Sequence, residues 1–181
     1  MKIAKVFIYL ITLILIYSCS GSKAAKYFKE GKTEQENYKV TFPFELKKGW
    51  IIVPVEIENK TYRFLLDTGT PTLVSKELAE SLNMKVIDSV NASDVYNKSQ
   101  QNKYTRIETI QIGEIDFVGT TALINDFNAT PIWSSLNIDG FIGSNLMQHA
   151  IWDIDFNKQQ ITITDNESKV SLPEEIIENK L

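Results

Sequence analysis

From Lys39 onward the chain is a succession of short apolar runs, rich in β-branched and aromatic residues and closed by polar turn residues. That pattern suits pleated, half-buried strands rather than long helices, and it limits the folds open to the chain more than any other feature. Val40 to Leu46 alternates loosely, and Trp50 to Ile57 is strongly β-branched, with Pro54 marking an edge or a bulge. Glu58, Asn59 and Lys60 make a polar turn, and Thr61 to Leu66 returns as the second arm of a hairpin that delivers Asp67 at its far end. Arg106 to Ile115 alternates as a strand with a Gly113-Glu114 turn, followed by Ile115 to Val118 and Thr120 to Ile124. Ile138 to Ile142, Trp152 to Phe156 and Gln160 to Thr164 complete the set, the last two joined by an Asn157-Lys158 turn. Helices are expected only at Ser75 to Met84, where Ser75 caps and Leu78 pairs with Leu82, and from Ser144 to about His149. No solenoid repeat interrupts this, so the reading is a mostly β domain, a closed barrel or sandwich with one or two short helices.

The N-terminus has a different composition. Lys2 and Lys5 precede an apolar run from Val6 to Tyr17 broken only by Thr12, and the small residues Ser18, Cys19 and Ser20 follow. A positive segment, an apolar core and small residues are the layout of a secretory signal. Cys19 falls where a bacterial lipoprotein signal is cut and acylated, and the Ile16-Tyr17-Ser18-Cys19 ending resembles such a site, although Tyr17 is bulky. A plain anchor helix is the other reading, but the run is shorter than the ~20 apolar residues a span needs. The expected organisation is a signal over 1–18, a polar tether over 19–38, a domain over 39–165 and a polar tail over 166–181. The domain would then be held outside the cytoplasm on a membrane, facing the periplasm or the cell surface.

Charge and rare residues exclude several function classes. The formal net charge is −4, with no basic run, which argues against a nucleic-acid partner. Cys19 is the one cysteine and His149 the one histidine, so neither an intrachain disulfide nor a Cys/His zinc site is open to the chain. No phosphate-binding or dinucleotide-binding glycine loop and no HExxH are present, and no cofactor is expected. His149 reads as a structural histidine on the short terminal helix, which leaves carboxylate chemistry for any hydrolysis.

Asp67 is the candidate. It ends the apolar strand Phe64-Leu65-Leu66, is followed by Thr68 and Gly69, and the apolar pattern resumes at Leu73-Val74. Taken alone, such an acid either caps a turn or does chemistry. The stretch Phe64 to Ser75 resembles the active-site strand and loop of the retropepsin-like aspartic proteases, the single-lobe relatives of the pepsins. A second segment, Asp139-Gly140-Phe141-Ile142-Gly143-Ser144-Asn145-Leu146-Met147, is similar to that family's apolar–apolar–Gly–x–Asn–Leu signature, a strand entering a short helix. The resemblance covers about 39–165 and implies a single-lobe aspartic-protease-like barrel that hydrolyses peptide bonds in peptide or protein substrates. It implies Asp67 as catalytic acid, Thr68 hydrogen-bonding across a dimer, and Gly69 allowing two loops to approach. With one Asp-Thr-Gly in the chain, the partner is a second copy or another aspartic-protease lobe.

The resemblance also places a substrate-covering flap at Asp88 to Lys103, which the residues alone describe as a long, exposed, polar hairpin or loop. This stretch departs from the family in lacking glycine between Gly69 and Gly113, so Asn91, Asn97 and Asn102 are the candidates for its turn. Gln160 to Thr164 is the candidate for an interleaved dimer strand. Asp139, Asp153 and Asp155 read as turn or solvent-facing residues, and Trp50, Trp133 and Trp152 as packing. The same β fold used as a non-catalytic binding or assembly lipoprotein, with Asp67 serving only its turn, is the alternative.

Overall fold

The computed structural model describes residues 23–93 and 99–170. The leader, Cys19, Asn97 and the tail beyond 170 lie outside the described residues. Helix α1 (Lys23–Tyr27) and strand β1 (Lys32–Thr33) come first, then β2 (Lys39–Pro43), β3 (Glu45–Lys47), β4 (Trp50–Ile57) and β5 (Lys60–Leu66). Strand β6 (Leu73–Ser75) runs directly into helix α2 (Lys76–Ser81), and the long ribbon β7 (Val86–Ser93), β8 (Ser99–Ile112) and β9 (Ile115–Asn125) follows. Helix α3 (Pro131–Leu136), strand β10 (Gly140–Ile142), helix α4 (Ser144–Met147) and strands β11 (Ile151–Asp155) and β12 (Gln160–Thr164) end the order.

The larger sheet runs β1-β9-β6-β10-β5-β4-β8-β7, and the further pairing of β8 with β9 closes six of these strands into a ring. That closure is the barrel expected from the sequence. Ring closure removes most free edges, which short strands in a domain of this size would otherwise expose. Pro54 lies where closure changes partners on one edge of β4. Residues Trp50 to Ile52 of β4 pair with β3, whereas Glu56 pairs with Gln111 of β8. A residue without an N–H is tolerated in that gap.

The first hairpin forms as its sequence demands. Ile57 pairs with Lys60, and the two residues between them, Glu58 and Asn59, hold φ of 52° and 60°. A two-residue turn with both φ positive matches the right-handed strand twist, so Lys60 belongs to the strand rather than the turn. Helix α2 starts as expected, with Ser75 Oγ accepting from the Leu78 N–H at 3.0 Å. It stops short of Met84, and Asn83 takes a left-handed φ of 51° just beyond it. Ile115 to Asn125 is one strand, where the sequence suggested two broken at Gly119.

The barrel wall around β5 is covered on both faces. Phe64 and Ile142 point into the main core with Val53, Ile110 and Phe117. Leu65 and Phe141 point the other way, into a second cluster with Ile52, Leu73, Phe127, Leu136 and Ile138. That cluster lies beneath α3, and Phe127, Trp133 and Phe141 meet edge to face with centroids 5.3–5.6 Å apart. Helix α3 was not foreseen, although Pro131 at its first turn and Asn137 at φ 54° beyond it are ordinary start and stop signals. Double burial explains why β5 reads as a continuous apolar run ending in an acid.

Two expectations about the ends of the domain change. Strand β12 is the middle of a separate three-stranded sheet, β11-β12-β2, so both its edges are paired within the chain. Gln160 to Thr164 therefore has no open edge to interleave with a second copy. Part of the segment assigned to a tether also packs on the domain. Lys32 and Thr33 pair antiparallel with Val118 and Phe117, and the Glu34 N–H donates to the Asp116 carbonyl at 2.9 Å.

Candidate active site

Asp67 follows β5 directly, and its N–H donates to the Ile142 carbonyl at 3.0 Å. The chain then loops through Thr68 to Thr72 and returns as β6. Strand β10 lies between the two arms of this loop, parallel to β5 and antiparallel to β6. The two sequence segments that carried the family resemblance are thus interlocked in space.

The inner half of the loop is bolted to the start of α4. The Ser144 N–H donates to the Thr70 carbonyl at 2.9 Å, and the Gly143 N–H donates to Thr72 Oγ1 at 3.3 Å. Asn145 is buried and bridges two elements: its Oδ1 accepts from the Thr72 N–H at 2.7 Å, and its Nδ2 donates to the Thr121 carbonyl at 2.8 Å. A Cβ on Gly143 would lie 2.1 Å from the Pro71 carbonyl carbon, so only glycine admits this close crossing. Buried amides that find their partners in this way fix a loop, because leaving any of them unpaired is costly.

The outer tip is Asp67-Thr68-Gly69. Asp67 is half-buried, and Thr68 and Gly69 are exposed. The Gly69 N–H donates to Asp67 Oδ1 at 2.8 Å, which sets the carboxylate orientation. A Cβ at Gly69 would sit 3.2 Å from that oxygen. The result is an oriented carboxylate on a rigid loop whose tip faces outward. One such group can act as a general base, or hold a proton, for a molecule presented to it.

Other acids play different parts. Asp139 Oδ2 accepts from the Arg63 N–H at 2.8 Å, and its own N–H donates to the Arg63 carbonyl at 2.8 Å. That is the middle of β5, four residues before Asp67 and about 13 Å from it at ~3.3 Å per strand residue. Asp139 is a splice between strands, in keeping with its reading as a turn residue. Asp155 accepts from the Lys158 N–H at 2.9 Å and holds the β11–β12 turn. His149 lies just past α4, its Nε2 3.4 Å from the Glu30 carbonyl, a structural position.

Residues 88–93 and 99–104 pair as the two arms of the β7–β8 hairpin, with register from Asp88 opposite Tyr104 to Ser93 opposite Ser99. A groove of about 1000 Å³ opens elsewhere, between the β4–β5 turn, the end of α2, β8 and α1. Its walls include Glu58, Met84 and Arg106 but none of Asp67, Thr68 and Gly69. Sequence reasoning assigned no role to Thr70, Thr72 or Asn145, which hold the Asp67 loop. The spacing of Asn145 after an apolar strand was visible, but its two hydrogen-bond partners come from distant positions.

Comparison with known proteins bears on the same residues. Two solved structures are similar at low identity. One is a retropepsin-like aspartic protease from Rickettsia conorii, 15% identical, with 74% of this chain and 93% of that chain aligned at a TM-score of 0.49. The other is the retroviral protease-like domain of Ddi1 from Leishmania major, 13% identical, with 65% and 97% aligned at a TM-score of 0.42. No curated protein matches the sequence. The profile of the family described as aspartyl protease matches residues 53–146, just over half of the 181 residues, a span that includes β5, the Asp67 loop, β10 and Asn145. The chain belongs to the aspartyl protease family.

Proposed function

We propose that the chain is an aspartic endopeptidase that works as a two-fold homodimer with Asp67 of each subunit at the shared site. The observation that carries this is the Asp67 loop: an oriented carboxylate at an exposed tip, locked from behind by Gly143 and Asn145. Family membership supports the reaction class, and the single Asp-Thr-Gly of the sequence supports the dimer. Two Asp67 carboxylates at contact distance share one proton, because like charges that close do not both ionise. The ionised partner takes a proton from a water, which attacks the scissile carbonyl carbon. The protonated partner polarises the carbonyl oxygen, and the tetrahedral intermediate collapses as the leaving amine is protonated. Thr68 and Gly69 are proposed to meet their counterparts across the dimer, and the β7–β8 hairpin to cover the bound peptide.

On the same reading Cys19 carries the lipid that holds the domain on the outer side of a membrane, over a segment beginning at residue 19. Replacing Cys19→Ser should release the protein into the soluble extracytoplasmic fraction. The central test is cleavage of a denatured protein by purified Asp67→Asn. The expected loss is about 10²–10⁴-fold relative to wild type, the usual share of positioned acid–base groups. Unchanged cleavage would remove Asp67 from the chemistry, and a folded, inactive wild type that stays monomeric would favour the binding lipoprotein instead.

A further inference from the structure

The β7–β8 hairpin overhangs the barrel. Strand β9 begins pairing with β8 at Lys103, opposite Ile124, so residues 99–102 have β7 as their ladder partner. An overhanging two-stranded ribbon is marginal by itself, and its angle is set at its root. One bolt at the root is local: Thr105 Oγ1 donates to the Lys85 carbonyl at 2.9 Å.

The remaining bolts come from the segment that precedes the domain. The Tyr27 hydroxyl donates to Asp88 Oδ2 at 2.8 Å, and the Tyr27 ring lies 5.1 Å from that of buried Tyr104. The Glu30 carboxylate pairs with the Arg106 guanidinium and accepts from Thr121 Oγ1 at 3.2 Å. This segment is itself anchored. Gln148 Nε2 donates to the Phe28 carbonyl at 2.6 Å, just past α4, and Gln35 Oε1 accepts from the Asp116 N–H at 2.9 Å. Helix α4 therefore holds the Asp67 loop through Ser144 and Asn145 and the N-terminal segment through Gln148.

We infer that residues 27–35 form a strap that registers the β7–β8 hairpin against the Asp67 loop, with Tyr27 and Glu30 as positioning residues. The strap lies between Cys19 and the barrel, so membrane attachment and hairpin position share one piece of chain. The functional consequence rests on the proposed protease reading; the mechanical one does not. Hydrogen bonding to the Asp88 carboxylate holds the Tyr27 phenol above its ordinary range.

The test compares the full wild-type chain with Tyr27→Phe, which removes one oxygen, and with Glu30→Gln. Amide exchange over 86–93 and 99–106 should speed up about threefold to tenfold, the opening free energy of one hydrogen bond, while β11 and β12 stay unchanged. KM for a peptide should rise about threefold or more with kcat within about twofold, the pattern of lost substrate positioning. Hairpin exchange equal to wild type in both variants would overturn the strap. Faster hairpin exchange in a protein whose cleavage is indifferent to Asp67→Asn would keep the strap and sink the protease reading.

Discussion

Thr72 and Asn145 meet in the interior, and the side-chain hold on the loop of the catalytic candidate centres on them. Asn145 uses its acceptor toward Thr72 and its donor toward Thr121, so no apolar residue of similar size replaces it. Asn145→Leu strands a buried N–H and a buried carbonyl, and should lower unfolding free energy by about 2–4 kcal/mol. The measurement is a denaturant midpoint, with activity falling even where the variant remains folded. An Asn145→Leu variant as stable as wild type would mean that the loop is held by other contacts. Asp67, by contrast, is a half-buried group at the loop tip, and its replacement by Asn should leave stability nearly unchanged while cleavage falls.

At the scale of elements, two carboxylates tie strands and segments together. Hydrogen bonding and charge from Arg63 hold Glu45 below the ordinary carboxylate range, joining β3 to β5. Desolvation pushes Asp165 upward, but the Asn37 N–H and the Lys169 ammonium outweigh it, and the net direction is down. Folded pKa values below the unfolded ones give stability that is fully present above the unfolded range, ~4, and is lost as pH falls through the folded values. Melting temperature should therefore drop on acidification below about pH 4, and Glu45→Gln should flatten part of that drop. Both pairs lie at the surface and are partly exposed, so added salt should shrink the effect. Equal acid slopes for wild type and Glu45→Gln would show that this pair contributes nothing.

For the whole molecule the open quantity is the second copy. Specific activity should rise with subunit concentration and level off as dimer saturates, tracking the dimer fraction in sedimentation. Mixing wild type with excess Asp67→Asn should suppress activity beyond dilution, because mixed dimers carry one carboxylate in place of two. Activity per subunit that is independent of concentration, with a monomeric sedimentation profile, would contradict the homodimer. Strand β12 offers no free edge for strand exchange between copies, since β11 and β2 occupy both its edges.

The sequence by itself determined the local features. The first hairpin was legible because a polar pair between apolar runs sets both turn and register, and Asp67 was legible because an acid ending an apolar strand is unusual. The pairing of the two motifs followed from family resemblance, not from spacing. Tertiary structure decided what depends on partners far along the chain. It made β5 doubly covered, gave Asn145 its two bonds, placed α3 over the second cluster, and turned residues 27–35 from expected tether into strap. Apart from Tyr27 and Phe28 those residues are polar and lack periodicity, so little local marks them as packed. Their order comes from Asp88, Arg106, Asp116 and Gln148, which only folding brings within hydrogen-bond reach.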